Sequence, residues 1–572
     1  MGKHFIIAMA VFVLMAFSPN KADDISGDWI GTLETPQGKM TLVLTIKKQP
    51  DGSLAAVLES PEQAPGQKIP VTSIKAQDGV LEFTSRPIGA TYKGTWTDGS
   101  WQGEFNQGMM LPLTFRRGEL AAKPVISGLD GVWQAEIIRN GQTIGFELTV
   151  ETTDRGTNAT FAVPAMMAYG LPVTNLSLDD GTLHFTVPAV SGSFNGSFVS
   201  TDQPVVGMWQ RQGQDTTGIT FTRTADKAAQ AKRPQMPQPP FPYKAEDVSI
   251  TNAAAPGVTL AGTLTVPEGK GPFPAAVLIS GSGPQDRDQT LLGHKPFAVL
   301  ADYLTRKGIA VLRYDDRGFA KSTGDFGPST SADFATDANA AFAFLQARED
   351  IKADAIGFIG HSEGGLVAPV AAKSNPELAY IVFLAAPAIK TRELLVTQRR
   401  TISLSNGADE ADIKRVEALS QSVLDAVATA SGSDDARARL HTLMTPDVLS
   451  AMGIPPERKE PAIRQLTSDW FRYFLKHDPA PYLGALDIPV LALNGTLDQQ
   501  VDAEENLGGM RAAFDGKADA TVMQLEGLNH MFQTAKTGGL DEYMAIEETF
   551  APAALDIIAS WINTRFQNTA RH

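Results

Sequence analysis

The chain has 572 residues, a formal net charge of −15, 43% hydrophobic and 20% charged residues, and no cysteine. That length exceeds what one hydrophobic core supports, so several domains are expected. The carboxylate excess sets the chain against phosphate backbones and anionic membrane surfaces, which argues against nucleic acid as a partner. Without cysteine there are no disulfides, thiolate metal sites or cysteine nucleophile.

Lys3 and His4 open the chain, an apolar run extends from Phe5 to Phe17, and Ser18, Pro19 and Asn20 break it. A short basic start, a short apolar run and small residues form a secretory signal over residues 1–22. The run is shorter than the roughly 20 residues a bilayer span needs, which disfavours the alternative of an uncleaved anchor. The expected location is periplasmic or secreted, with no stable membrane insertion.

From residue 25 to about 223 short alternating runs are separated by Asp51-Gly52, Asp78-Gly79, Asp98-Gly99, Asn140-Gly141 and Asp180-Gly181. Asp-Gly or Asn-Gly between alternating runs signals β-hairpins. The region also repeats itself. Gly27-Asp28-Trp29 aligns with Gly131-Val132-Trp133, Ile69-Pro70-Val71-Thr72 with Leu171-Pro172-Val173-Thr174, and Asp78-Gly79-Val80-Leu81 with Asp180-Gly181-Thr182-Leu183. Matched blocks in one order indicate a duplication, with copies at 25–120 and 128–224. Each is long enough for a small meander barrel, and the opening Gly-x-Trp resembles lipocalin-type barrels. Trp29 and Trp133 then either plug the barrel floors or line a cavity for a lipid or glycan.

Residues 225–246 contain Pro234, Pro237, Pro239, Pro240 and Pro242, a density that favours extended linker backbone. Beyond it buried strands alternate with helices, implying a mostly parallel, doubly wound sheet covered on both faces, first over 247–387 and again over 485–572. Between them, 388–484 is charged and helical, with spans such as Glu410 to Ala430 and Ala462 to Leu475. Such an insertion reads as a cap over the carboxyl edge of the sheet.

Gly360-His361-Ser362-Glu363-Gly364 fits G-x-S-x-G, with a buried strand before it and a helix after. The motif needs small neighbours because the serine sits on a sharp strand-to-helix turn that lifts its hydroxyl above the sheet. Ser362 is the candidate nucleophile. It requires a base, and His530 lies just after the last strand; His361 is expected to point away, and His294, His441 and His477 to serve at the surface. Asp498 follows the preceding strand and completes the order Ser…Asp…His; Asp502 is its rival. Glu363 is expected to lend one backbone N–H to an oxyanion, and Ser282 in Ser280-Gly281-Ser282-Gly283-Pro284 the other. No Gly-Lys-Ser/Thr follows that loop, so it is not read as a phosphate cradle. No His-Glu-x-x-His or calcium loop occurs, and a triad needs neither metal nor cofactor.

With these blocks, together with Gln285-Asp286-Arg287-Asp288 and Tyr314-Asp315-Asp316-Arg317-Gly318, residues 247–565 resemble the α/β-hydrolase superfamily, in particular a bacterial carboxylesterase group related to dienelactone-hydrolase-like proteins. The dienelactone hydrolases proper carry cysteine where this chain has Ser362, so lactone chemistry does not carry over. The resemblance implies a small-molecule ester substrate of short to medium acyl length. It does not reach residues 25–223. A serine peptidase or amidase of the same fold is the nearer alternative, and an envelope ligand-binding protein with an inert hydrolase domain the more distant one. A homo-oligomer stays open. Asp286-Arg287-Asp288 either braces the oxyanion loop or is a solvated cluster.

Overall fold

The computed structural model describes residues 25–567 apart from 36–37, 62–67, 86–87, 108–109, 119–122, 140–141, 154–155, 164–167, 212–215, 225–232, 406–408, 453, 455–457 and 541. The signal expected over 1–22 and the start of the Pro-rich stretch lie outside the described residues.

The duplication is visible as two nine-stranded antiparallel sheets of identical order. In the first, the edge strands Ile69–Val71 and Ser73–Gln77 are separated in the chain by Thr72 alone. Edges that are chain neighbours force the sheet to curl until they meet, and Thr72 N donates to Thr84 O at 2.7 Å across the join. Val173 alone likewise separates Ala168–Pro172 from Thr174–Asp179, and its N–H donates to Ala159 O at 3.3 Å. Asp78 and Gly79 form a tight hairpin turn with φ of 53° and 73°, as do Asp180 and Gly181 with 48° and 73°, while Asn140-Gly141 lies outside the described residues. Positive φ at both central residues matches the right-handed twist of the flanking strands. Trp29 and Trp133 are buried and donate to equivalent carbonyls, Ile25 O at 2.9 Å and Leu129 O at 2.8 Å. Aromatic rings continue each interior: Trp96 meets Trp29 edge-on at 5.7 Å, and Trp209 stacks on Phe161 at 5.3 Å.

The Pro-rich stretch ends against the next unit before its first strand begins. Arg233 donates to Ile546 O at 2.8 Å and Met544 O at 2.9 Å, and Gln235 Oε1 accepts from Phe550 N at 3.0 Å.

The third sheet has eight strands: β1 Tyr243–Thr251, β2 Thr259–Pro267, β3 Phe273–Ile279, β4 Ala310–Tyr314, β5 Ile351–His361, β6 Tyr380–Leu384, β7 Val490–Gly495 and β8 Ala520–Leu525. Their spatial order is β1-β2-β4-β3-β5-β6-β7-β8. β1 and β2 are antiparallel to each other, and β2 to β4; β3 to β8 all run parallel. Helices α1 Pro296–Arg306, α2 Ser331–Gln346 and α3 Gly364–Ala372 come before the insertion. The insertion carries α4 Thr391–Ser405, α5 Glu410–Ala428, α6 Ser433–Leu443, α7 Pro446–Ala451, α8 Lys459–Leu466, α9 Asp469–Lys476 and α10 Ala480–Gly484. α11 Ala503–Ala513 and α12 Pro552–Phe566 complete the unit.

Strand β3 shows why these sequences are apolar without alternation. Ala275, Val277 and Ile279 enter the core shared with α2, α3 and α11, whereas Ala276 and Leu278 enter the core shared with α1 and α12. Side chains on a strand alternate in direction, so a sheet covered on both faces needs apolar residues at every position. The insertion has its own core, including Val423, Val427, Leu440 and Ile463. The helix expected from Ala462 to Leu475 is two, α8 and α9. Ser468 divides them because its hydroxyl accepts from Phe471 N at 3.2 Å, capping α9. No helix among the described residues is long and apolar enough to cross a membrane.

Candidate active site

The motif around Ser362 sits at the carboxyl end of the central strand β5. Ser362 has φ of 54°, a left-handed conformation that is strained for a side chain, and its N–H donates to Leu384 O of β6 at 2.9 Å. Its neighbours must be glycine because the chain folds back on itself. A Cβ on Gly360 would lie 2.3 Å from Gly364 O, and one on Gly364 would lie 2.2 Å from Ile279 O at the end of β3.

The loop leaving β3 passes directly over the serine: a Cβ on Gly281 would lie 3.2 Å from the Ser362 Cβ. Asp316 holds this loop at both ends, Oδ1 accepting from Ser280 Oγ at 2.7 Å and Oδ2 from Gln285 N at 2.8 Å. The Asp286-Arg287-Asp288 run is built in rather than solvated. Arg287 makes a two-pronged contact with Asp315, at 2.9 Å and 2.8 Å, and Asp288 pairs with Arg313 at 2.9 Å. Burial pushes the Asp316 carboxyl up to about 8, against its two hydrogen bonds; the nearby Asp337 and Glu363 act in the same direction.

His530 and Asp498 lie on the loops after β8 and β7. His530 Nδ1 is 2.8 Å from Asp498 Oδ2, and both residues are buried. The other oxygen of Asp498 accepts from Gln500 N at 2.8 Å and Val501 N at 2.9 Å, so the carboxylate is locked in place. A carboxylate facing Nδ1 assigns the proton to that nitrogen and leaves Nε2 as a base. The rival Asp502 is engaged elsewhere, capping α11 by accepting from Glu505 N at 2.9 Å. Asn529 shapes the histidine loop, its Oδ1 accepting from both Met531 N and Gln533 N at 3.0 Å.

His361 does not point away. Its ring packs against the His530 ring at 4.8 Å, Nε2 donates to His530 O at 2.9 Å, and Nδ1 accepts from Gln289 Nε2 at 2.7 Å. Burial, reinforced by His530, lowers its pKa to about 3 and keeps it neutral. His294 is no surface residue either. It is buried behind the same loop, 2.8 Å from Tyr543 O and 2.9 Å from Thr549 Oγ1. His477 is buried in the cap and stacks on Tyr482 at 5.2 Å. The partners of His361 and His294 lie 72 to 255 residues away in the chain, which local sequence does not announce.

Glu363 is also engaged through its side chain. Its side chain is buried, and Oε1 accepts from Ser331 Oγ at 2.6 Å and from the indole N–H of Trp470, on cap helix α9, at 2.8 Å. Burial raises its pKa, while hydrogen bonds from Ser331, Trp470 and Ser282 oppose the shift. The residue after the candidate nucleophile is thus tied to both the sheet's first helical layer and the cap.

The family model described as "Serine aminopeptidase, S33" matches residues 295–420. Esterase EstD of Thermotoga maritima is 27% identical over 325 residues, 56% of this chain and 68% of its own length. The carboxy-terminal unit has the α/β-hydrolase fold. Among solved structures, a Pyrococcus furiosus esterase aligns with a TM-score of 0.32 at 18% identity over 50% of this chain and 81% of its own. The α/β hydrolase GrgF from Penicillium aligns with a TM-score of 0.35 at 18% identity over 56% of this chain and 98% of its own.

Proposed function

We propose that this α/β hydrolase cleaves carboxylic esters of short to medium acyl chain through an acyl-enzyme. The observation that carries the reading is the buried His530–Asp498 pair at 2.8 Å, on the same edge of the sheet as the strained turn of Ser362. In this reading the Ser362 hydroxyl attacks the ester carbonyl and His530 Nε2 takes its proton, with Asp498 stabilising the imidazolium. Backbone N–H groups of Ser282 and Glu363 receive the oxyanion. Collapse breaks the C–O bond, and the proton on His530 passes to the departing alkoxide. Water, deprotonated by His530, then attacks the acyl-enzyme and releases the acid and Ser362. None of these steps calls on a metal or a cofactor.

Amide or peptide cleavage is the second reading, favoured by the aminopeptidase family model over residues 295–420. The proposed setting is periplasmic or secreted, with a small-molecule ester as partner and the barrels docking a lipid or glycan. The test is turnover of p-nitrophenyl esters from acetate to palmitate beside an amino-acid p-nitroanilide, for wild type and Ser362→Ala. Ester turnover that falls by about 10⁵–10⁶-fold in the variant supports the proposal. Anilide turnover without ester turnover would move it to the peptidase. No turnover and no labelling by a fluorophosphonate would refute both.

A further inference from the structure

The cap contains a cavity of about 680 Å³ between α4, α5 and the segments around α7 to α9. This is within the roughly 300–1,000 Å³ typical of small-molecule sites. Neither Ser362, His530 and Asp498 nor the loop after β3 lines it. Its wall mixes the apolar side chains of Ile402, Val423, Leu466 and Phe471 with polar residues, and it carries two cations, Arg399 and Arg415.

Arg399 is the unusual feature. Its neighbour Arg400 takes Glu410 at 2.8 Å and Glu417 at 3.3 Å. Arg399 donates to the Ser420 hydroxyl at 3.1 Å, and among the described residues no carboxylate pairs with it. The Ser420 hydroxyl in turn donates to Val416 O at 2.7 Å, so it is a neutral partner held in place by helix α5. Burial lowers the Arg399 pKa. The acidic residues at the rim are engaged: Asp409 caps α5 by accepting from Ala411 N at 2.9 Å and Asp412 N at 2.8 Å, and Asp412 pairs with Arg415 at 3.3 Å. A guanidinium has five N–H donors and is rarely left among apolar groups without an anion. Its planar fork suits a carboxylate, and the wall beside it suits an alkyl chain.

We infer that the cap holds a second binding site, distinct from the triad, for a carboxylate with an alkyl tail. Arg399 and Ser420 receive the head group and the apolar wall receives the chain. The site stands independently of the ester reading, because it shares no residue with the proposed catalytic groups.

The test is equilibrium dialysis of radiolabelled decanoate against the full chain carrying Ser362→Ala, with 1-decanol and acetate as comparisons. The inference expects one decanoate per chain, weaker binding of decanol, and little of acetate. Adding Arg399→Gln should weaken decanoate at least tenfold, whereas Arg399→Lys restores part of the affinity. Ile402→Trp, which fills the apolar end and leaves the charge, should weaken decanoate as well, so the test survives if either variant folds poorly. In an otherwise wild-type chain Arg399→Gln should leave p-nitrophenyl acetate turnover within about twofold. Decanoate affinity indifferent to both substitutions would overturn the inference. So would decanoate binding lost when a fluorophosphonate blocks Ser362 in the wild type, which would put the ligand in the active site.

Discussion

The barrels and the hydrolase unit bury very different things. Among the described residues the barrels enclose aromatic and aliphatic side chains, with Glu59 as their buried carboxylate. The hydrolase unit buries Asp315, Asp316, Asp337, Glu363 and Asp498, with Arg317, His361 and His530 among them. Burying a charge is expensive unless it is paired or hydrogen-bonded, so a fold that does it repeatedly has a use for it. The barrels are packed for shape, and the hydrolase unit also for electrostatics. Substitutions in the two regions should therefore fail in different ways.

The largest effect after loss of Ser362 is expected at Asp498. Asp498→Asn keeps the volume but removes the charge that orients His530, and should lower kcat for p-nitrophenyl acetate by about 10³–10⁴-fold without unfolding the chain. Retained activity would transfer the role to another acid. In the barrels the opposite pattern is expected. Trp133→Ala removes a buried ring and its hydrogen bond to Leu129 O, and should lower barrel stability by about 3–5 kcal/mol in a denaturant titration while ester kinetics hold. A matching loss of ester turnover would mean the two regions are coupled and would break the comparison.

Asp316 offers a test by pH. Its pKa in the fold is raised to about 8, from an ordinary value of 3.8. A raised pKa contributes stability that is complete at low pH and is lost as pH rises towards the folded value. Asp316→Asn removes this titration, so the stability difference between variant and wild type should move in the variant's favour by up to about 1.4 kcal/mol per pH unit between about pH 5 and about pH 8. Parallel curves for the two proteins would show that Asp316 is already ionised in the fold. The smallest effect is expected at Trp470→Phe, which keeps the ring but removes the indole donor to Glu363. A loss of about threefold to tenfold in kcat/KM, greatest for longer acyl chains, would fit a hydrogen bond that ties the cap to the turn. An unchanged acyl-chain profile would argue that the contact is only structural.

What the sequence alone determined was whatever is written in local backbone requirements. The duplication, the paired Asp-Gly turns, the switch from alternating to continuously apolar strands, and a serine between glycines each follow from residues a few positions apart, because steric limits on φ and ψ and the two-residue period of a strand act at that range. Chain order was enough to single out Asp498 and His530 as candidates, since each follows a strand of a parallel sheet whose carboxyl ends share one edge. The tertiary structure decided the contacts that span the chain. His361 against His530, Asp316 across both ends of the Ser280–Gln285 loop, Trp470 on Glu363 and Arg399 facing Ser420 join residues on different elements. Hydrophobic periodicity says which face of an element is buried. Which polar groups meet there depends on how the elements cross, and that geometry exists only in the folded chain.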